Sequence, residues 1–331
     1  MEYAGKKIRA LGLCSGGLDS ILSAKILQAA GIDVEWVSFE TPFFPAENAI
    51  RAARYTNIPL TVRNITARYL PMLKQPGAGY GKNMNPCLDC HALMFRIAGE
   101  MMMETRTDFL FSGEVVGQRP MSQTQVSMRY VAKHSGYADW IVRPLSGGIL
   151  PETIPERKGW IQRNRLQDIS GRSRKRQIAL AREFGITDYP NPAGGCLLTD
   201  PNFSRRLRDL LEHISDPAEA DLELLRFGRH FRLDEHTRVI IGKDQEDNEQ
   251  ITARFSRTRG ILIRTVDMPA PVALLPASAS MERVRYALAM IAGYSKAAPG
   301  EEILGEIDGP AGLSRIRSAG ISPASFRHLM I

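Results

Sequence analysis

The chain has 331 residues, with 43 Lys and Arg against 36 Asp and Glu, a formal net charge of +7. That length suits one large domain or two ordinary ones, and two are expected. Four cysteines are too few for a disulfide scaffold, no apolar stretch is long enough to span a bilayer, and Met1–Lys7 lacks the apolar core of a secretory signal, so a cytoplasmic protein in a reducing compartment with no membrane partner is expected.

Ile8, Ala10, Leu11 and Leu13 form an apolar run of strand length, after which Leu18, Ile21, Leu22, Ile26 and Leu27 switch to helical spacing. The join is Ser15-Gly16-Gly17. Two glycines allow a tight turn and close approach to a ligand, and the helix behind them directs unpaired N–H groups and its positive dipole end at the loop. This predicts an anion cradle, although neither the Gly-x-x-x-x-Gly-Lys-Ser/Thr nor the Gly-x-Gly-x-x-Gly pattern is present. Residues 34–39 read as a second strand, 46–56 as a helix and 60–65 as a third strand. Such alternation predicts an α/β fold, a parallel sheet with ligands at the carboxyl ends of its strands. Phe39 and Glu40 would then border a nucleotide, or serve simply as core and surface.

A short helix is expected over 69–74 and a Gly-, Pro- and Asn-rich loop over 75–85. Asn85 then caps a helix that carries Pro86 in its first turn and runs to about Thr105. Cys87 and Cys90, three residues apart, share one face of it, where two thiolates can bind a metal or cluster together or act as attacking and resolving thiols. Asp89 between them reads as a helix-start carboxylate or a proton shuttle. A fourth strand, 108–112, runs into Gly113-Glu114-Val115-Val116-Gly117-Gln118, and a further strand over 139–143 leads into Arg143-Pro144-Leu145-Ser146.

Arg157, Lys158, Arg163, Arg165, Arg172, Arg174, Lys175 and Arg176 then crowd around a lone Asp168, with Trp160 among them. This patch suits a nucleic-acid backbone, a solvated face being the alternative. A basic helix over 174–184 follows. Gly194-Gly195 ahead of Cys196 leaves that sulfur unobstructed, whereas Cys14, beside the first loop, reads as a small buried hydrophobe. From about residue 201 basic and acidic side chains balance and the pattern turns to short strands, so a first domain over 1–200 and a smaller α+β domain over 201–331 are expected.

Ser15, Gly16, Gly17, Asp19 and Ser20, directly after a strand, resemble the Ser-Gly-Gly-x-Asp-Ser signature of the PP-loop ATP pyrophosphatases, which split ATP between the α and β phosphates and adenylate a carbonyl oxygen. The resemblance implies ATP and Mg²⁺ at Ser15, Gly16, Gly17, Leu18, Asp19 and Ser20, with Phe39, Gly113 and Gln118 at the nucleotide edge. Gly113 to Gln118 and Arg143 to Ser146 resemble segments of the 4-thiouridine synthases, and Asn85 to Cys90 with Cys196 resembles the cysteine arrangement of the 2-thiouridine synthases. In cluster-dependent tRNA thiolases three cysteines hold a [4Fe-4S] cluster with one open iron, a role this resemblance gives to Cys87, Cys90 and Cys196. A Cys₃His Zn²⁺ site using His91, and cluster-free chemistry in which Cys196 carries a persulfide that Cys87 resolves, are the rivals.

Residues 221–310 resemble the RNA-binding NFACT-R module through Gly242, Asn248, Ile251, Thr252 and the stretch Ala287 to Lys296. The neutral charge of this half also suits a dimerisation surface, which leaves a homodimer open. The implied activity is ATP-dependent thiolation of a tRNA uridine, with Cys87, Cys196 and Asp19 catalytic, the basic patch on the tRNA, and sulfide or a cysteine desulfurase or persulfide carrier as sulfur donor. A PP-loop amide-forming ligase would leave the three cysteines unexplained. A non-catalytic RNA-binding adaptor would leave the intact loop unexplained.

Overall fold

The computed structural model describes residues 7–190, 196–298 and 300–331, so the expected Gly194-Gly195 approach to Cys196 lies outside the described residues. The chain divides into two compact units, Met1–Thr199 and Asp200–Ile331.

The first unit is built on β1 (Arg9–Leu13), α1 (Leu18–Ala29), β2 (Asp33–Glu40), α2 (Glu47–Thr56), β3 (Leu60–Asn64), α3 (Thr66–Lys74), α4 (Cys87–Thr105), β4 (Phe109–Ser112), α5 (Gln125–Ser135), β5 (Ile141–Val142), α6 (Ile154–Arg157) and α7 (Lys175–Glu183). Its five strands are all parallel, in the order β3-β2-β1-β4-β5. Central β1 buries Ala10, Leu11 and Gly12 in succession, the continuous apolar run of a strand covered on both faces. Gly12 is required there because a Cβ would stand 2.2 Å from the Phe111 ring on β4. From β1 the chain builds outward to β3, then returns to the other side of β1 to lay down β4. The switch point, where an open α/β sheet presents its ligand crevice, therefore lies between the carboxyl ends of β1 and β4. Leu13 pairs with Ser112, so the Ser15–Gly17 turn and Gly113 leave the sheet side by side.

The fold class is as the sequence predicts, with differences in detail. The strand expected over 139–143 shrinks to Ile141–Val142 behind a 3₁₀ turn, Ala138–Trp140. Asn85 does not cap α4, whose N-cap is Pro86 with no side-chain hydrogen bond. Helix α5 stands where no element was anticipated, started by the Thr124 hydroxyl, which accepts from the Ser127 N–H (3.0 Å), and ended by Gly136 at φ +84°.

The second unit comprises α8 (Pro201–His213), α9 (Glu219–Glu223), β6 (Arg229–Arg232), β7 (Arg238–Ile241), α10 (Gln245–Ala253), β8 (Gly260–Thr265), β9 (Ala273–Pro276), α11 (Met281–Gly293), β10 (Glu302–Gly309), β11 (Gly312–Ala319) and α12 (Pro323–Phe326). Its six strands form an antiparallel sheet in the order β11-β10-β8-β9-β7-β6. Val284, Leu288 and Ile291 of α11 pack with Phe231, Ile263, Leu275 and Ile303 as its core. The Ser280 side chain accepts from the Arg283 N–H and starts α11 two turns ahead of the expected Ala287. Among the described residues, no helix is long and apolar enough to cross a membrane.

Candidate nucleotide and thiol site

The turn after β1 has the conformation its glycines allow. Gly16 sits at φ +74°, and a Cβ there would stand 2.1 Å from the Asn48 backbone, so only glycine fits between the loop and α2. No side chain caps α1, whose N-cap is Gly17, and the Ser20 N–H turns back to the Gly17 carbonyl (3.1 Å). Gly113 closes the opposite wall: its Cα lies where an added Cβ would be 2.5 Å from the Asp19 carbonyl carbon.

Asp19, in the first turn of α1, has one oxygen tied and one unused. Gln118 Nε2 donates to Asp19 Oδ2 (2.7 Å), Gln177 Nε2 donates to Gln118 Oε1 (2.8 Å), and Asp19 Oδ1 is buried with no hydrogen-bond partner. Burial raises the Asp19 carboxyl above its ordinary value, against the pull of Gln118 and the charges of Arg174 and Arg119. A buried carboxylate oxygen without a donor beside an anion-binding helix end fits a cation accompanying a triphosphate. Ser20 spends its hydroxyl on the Gly17 carbonyl (2.7 Å), Leu18 and Phe39 lie in the core, and Ser15 is exposed. Only the backbone of Leu18 can therefore serve a ligand. Cys14 is buried as expected and its thiol is pushed up to about 11 by that burial.

The three remaining cysteines meet around Tyr69 of α3, a ring 1 % exposed and packed on Phe43 and Phe44 beyond the end of β2. Burial pushes the Cys90 thiol up to about 12, the Tyr69 hydroxyl donates to it and pulls the other way, and Cys196 and Cys87 lie near enough to add to the rise. Each sulfur has a donor: Tyr69 for Cys90, Asn85 Nδ2 for Cys87 (3.2 Å) and the Leu198 N–H for Cys196 (3.4 Å). Three thiols outside any disulfide, gathered together, fit the all-sulfur donor set that iron–sulfur clusters take, one iron to each thiolate. The fourth ligand of a Cys₃His centre would have to be His91, whose Nδ1 is bonded to Glu114 Oε1 (3.1 Å). Among the described residues no three His, Cys, Asp or Glu side chains are arranged to hold one metal ion. Asp89 is fully engaged, accepting the Ala78 N–H on Oδ2 (2.8 Å) and the Tyr130 hydroxyl on Oδ1 (2.9 Å), and so pins the 75–86 loop and α5 to α4.

Glu114 is the residue that sequence reasoning missed. It is 6 % exposed, and burial alone would raise its carboxyl, but Arg143 (2.8 Å) and His91 outweigh that and hold it at about 2. It ties the thiol helix, through His91, to the β4 loop that carries Gly113 and to the Arg143 segment after β5. Arg143 is itself 7 % exposed, with its Nη2 unpartnered.

The basic patch separates into different jobs. Arg163 is a clamp, donating to Glu156 Oε1 (2.8 Å) and to the Leu150 carbonyl (2.6 Å). Arg176 pairs with Asp168 (2.5 Å), Arg157 donates to the Glu152 carbonyl (2.8 Å), and Lys158 lies over the rings of Trp160 (4.6 Å) and Trp140 (5.3 Å). Arg165, Arg172 and Lys175 are exposed. Arg174 turns the other way: its Nε is buried without a partner and its charge acts on Asp19, which places it near the first turn of α1.

The family model for the thiamine biosynthesis protein (ThiI) matches residues 5–149, and that for the NFACT protein RNA binding domain matches residues 228–320. The two resemblances drawn from the loop motifs and from Gly242 to Thr252 are thus borne out. A curated relative, a probable tRNA sulfurtransferase of Ureaplasma urealyticum, is 30% identical over 144 residues, which are 41% of this chain and 36% of that protein, so the match spans little more than a third of the relative's length. Similar solved structures include a 4-thiouridine synthetase in complex with RNA and bound ATP, 20% identical, covering 54% of this chain and 51% of that one at a TM-score of 0.34. The NH₃-dependent NAD synthetase of Campylobacter jejuni is 14% identical, with 68% and 84% covered at a TM-score of 0.33.

Proposed function

We propose that this chain, with its ThiI-like and NFACT-R-like segments, activates a tRNA uridine with ATP and replaces the carbonyl oxygen by sulfur. One observation carries the reading. The same carboxyl edge of one parallel sheet bears the Ser15–Gly17 turn after β1 and the thiols beyond β2 and β3, bridged by His91 and Glu114. The sulfurtransferase relative supports it over an amide ligase, which has no use for three gathered sulfurs.

The loop backbone and the first turn of α1 would hold the triphosphate, with Asp19 Oδ1 as the protein ligand of a Mg²⁺ ion that neutralises phosphate charge when bound. Gln118 keeps the other Asp19 oxygen in place, and Arg174 supplies positive charge where pyrophosphate develops its negative charge. The uridine carbonyl oxygen attacks the α-phosphorus, forming an O–P bond as the α–β bridge breaks and pyrophosphate leaves with the electron pair. Sulfide then adds to the activated ring carbon, gives up its protons, and the C–O bond to AMP breaks to leave C=S; where a persulfide delivers the sulfur instead, a second thiol attacks the carrier sulfur, the S–S bond breaks to release the sulfur to the base, and a disulfide is left behind. Cys87, Cys90 and Cys196 would hold a [4Fe-4S] cluster, which when bound supplies an open iron for sulfide. The donors from Asn85, Tyr69 and Leu198 hold the three sulfurs in position.

The test is incubation with ATP, sulfide and unthiolated tRNA under anaerobic conditions, following pyrophosphate and tRNA nucleosides by mass spectrometry. Pyrophosphate release that requires tRNA, with thiouridine formed, is expected. Asp19→Asn should lower both by about 100-fold or more, while Cys196→Ala abolishes thiouridine and leaves pyrophosphate release. Release independent of tRNA but dependent on ammonia would replace this reading with the ligase. Full thiolation by iron-free protein would move the sulfur to a persulfide on Cys196.

A further inference from the structure

The second unit is neutral on average, which conceals a concentration of cations where α8 meets β6 and β7. Arg206 comes from α8, His230 and Arg232 from β6, and Arg238 from β7. Arg232 is answered by Asp209, to which it donates from Nε (2.9 Å) and Nη2 (2.5 Å). The others are not. Arg206 gives one nitrogen to the Leu225 carbonyl (3.0 Å) but leaves Nε buried and unpartnered, and Arg238 leaves Nη1 in the same state. His230, 0 % exposed, gives Nε2 to the Phe227 carbonyl (2.9 Å), and its Nδ1 has no partner.

Three unsatisfied nitrogens in one place, two of them on guanidinium groups, are expensive to bury, since a buried charge is ordinarily paired. Burial first, then neighbouring arginines, lowers Arg238 to about 10 and holds His230 well below the usual imidazole value. The nearby carboxylates are all engaged: Asp209 is held by Arg232 and Asp221 by Arg259 (2.6 Å), while Asp200 and Asp247, whose charges reach Arg206, accept the Phe203 N–H and the Gly228 and Lys243 N–H groups. An oxyanion would satisfy the two guanidinium groups, both half-buried and reachable; His230, neutral with its proton on Nε2, offers it no donor and serves as the uncharged floor beneath them. Exposed Arg205 and Arg208 extend the positive charge along the outer side of α8.

We propose that Arg206 and Arg238 form a seat for one phosphodiester of a bound RNA strand, with α8, which lies ahead of the segment matching the NFACT domain, supplying one wall. This deepens the RNA-binding part of the proposed function and needs neither ATP nor sulfur. Its test is therefore independent of thiolation. A fluorescein-labelled oligouridylate is titrated into the full chain by anisotropy at a series of salt concentrations. Arg238→Gln and Arg206→Gln should each weaken binding about tenfold and reduce the slope of log K against log salt by about 1. Arg238→Lys should keep the slope, and Arg285→Gln, an exposed arginine on α11, should stay within about twofold of the parent. Thermal melts verify folding; if Arg238→Gln does not fold, Arg206→Gln and Arg238→Lys decide. Folded variants that bind RNA as the parent does, with an unchanged slope, would overturn the proposal. So would stabilisation of the parent by inorganic phosphate or ATP at this site with no competition against RNA, which would make it a seat for free phosphates.

Discussion

Glu114 shows what a single buried charge contributes. Its carboxyl lies at about 2 in the folded chain against an ordinary 4.5, because Arg143 and His91 outweigh the burial that would raise it. A group depressed by folding stabilises the chain above its unfolded value and loses that contribution as pH falls towards its folded one. Stability worth roughly 3 kcal/mol should therefore disappear between about pH 4.5 and pH 2. Glu114→Gln should flatten the curve over that interval. It should also cost about 3–5 kcal/mol at neutral pH, since Arg143 would be left buried without its counter-charge. Urea midpoints measured from pH 2.5 to 7 give both numbers, and parallel curves for parent and variant would contradict the pairing. None of this was visible along the sequence: the partners of Glu114 stand 23 and 29 residues away, and only the sheet order brings them together. Tyr69 escaped notice for the same reason, since no motif surrounds it and its importance comes from where α3 sets it down among the thiols.

At the scale of elements, the loops that make the site are held by close approach of backbones. Gly113 is the sharpest case: it sits against the first turn of α1 with space for a hydrogen and no more, 2.5 Å separating an added Cβ from the Asp19 carbonyl carbon. Gly113→Ala should force β4 and α1 apart, destabilise the chain by about 1–3 kcal/mol, and displace Asp19 enough to weaken ATP binding in a calorimetric titration. A variant matching the parent in both would mean that this packing is slack. The β1 turn was legible in the sequence because apolar spacing changes period there and two glycines stand at the change. The carboxyl-edge position of Gly113 to Gln118 was legible because a strand precedes it. Helix α5 was not, since Val126 in its first turn is 74 % exposed and blurs the apolar stripe that Met128, Val131 and Ala132 would otherwise show. The strands β8 to β11 were hidden too, for in an antiparallel sheet pairing depends on distant partners rather than on local period.

For the whole molecule, net charge predicts where nucleic acid lies only after each cation has been followed to its partner. The sequence places the entire positive excess in residues 157–176, yet Arg163 and Arg176 are tied to acidic neighbours and Arg174 faces Asp19. Under the proposed function, the charges that would meet tRNA from this patch are those of exposed side chains such as Arg165, Arg172 and Lys175. The double variant Arg172→Gln with Lys175→Gln should therefore lower the slope of log K for tRNA against log salt by about 2, one for each phosphate no longer neutralised, without changing the apparent affinity for ATP. Arg174→Gln should do the reverse, leaving the slope unchanged and raising the ATP concentration needed for half-maximal pyrophosphate release about tenfold or more, as removal of a charge-assisted hydrogen bond requires. Filter binding over a salt series, paired with pyrophosphate assays on the same preparations, separates the two. If Arg174→Gln and the double variant changed the slope alike, the patch would be one electrostatic surface, and its division between nucleotide and RNA would be wrong.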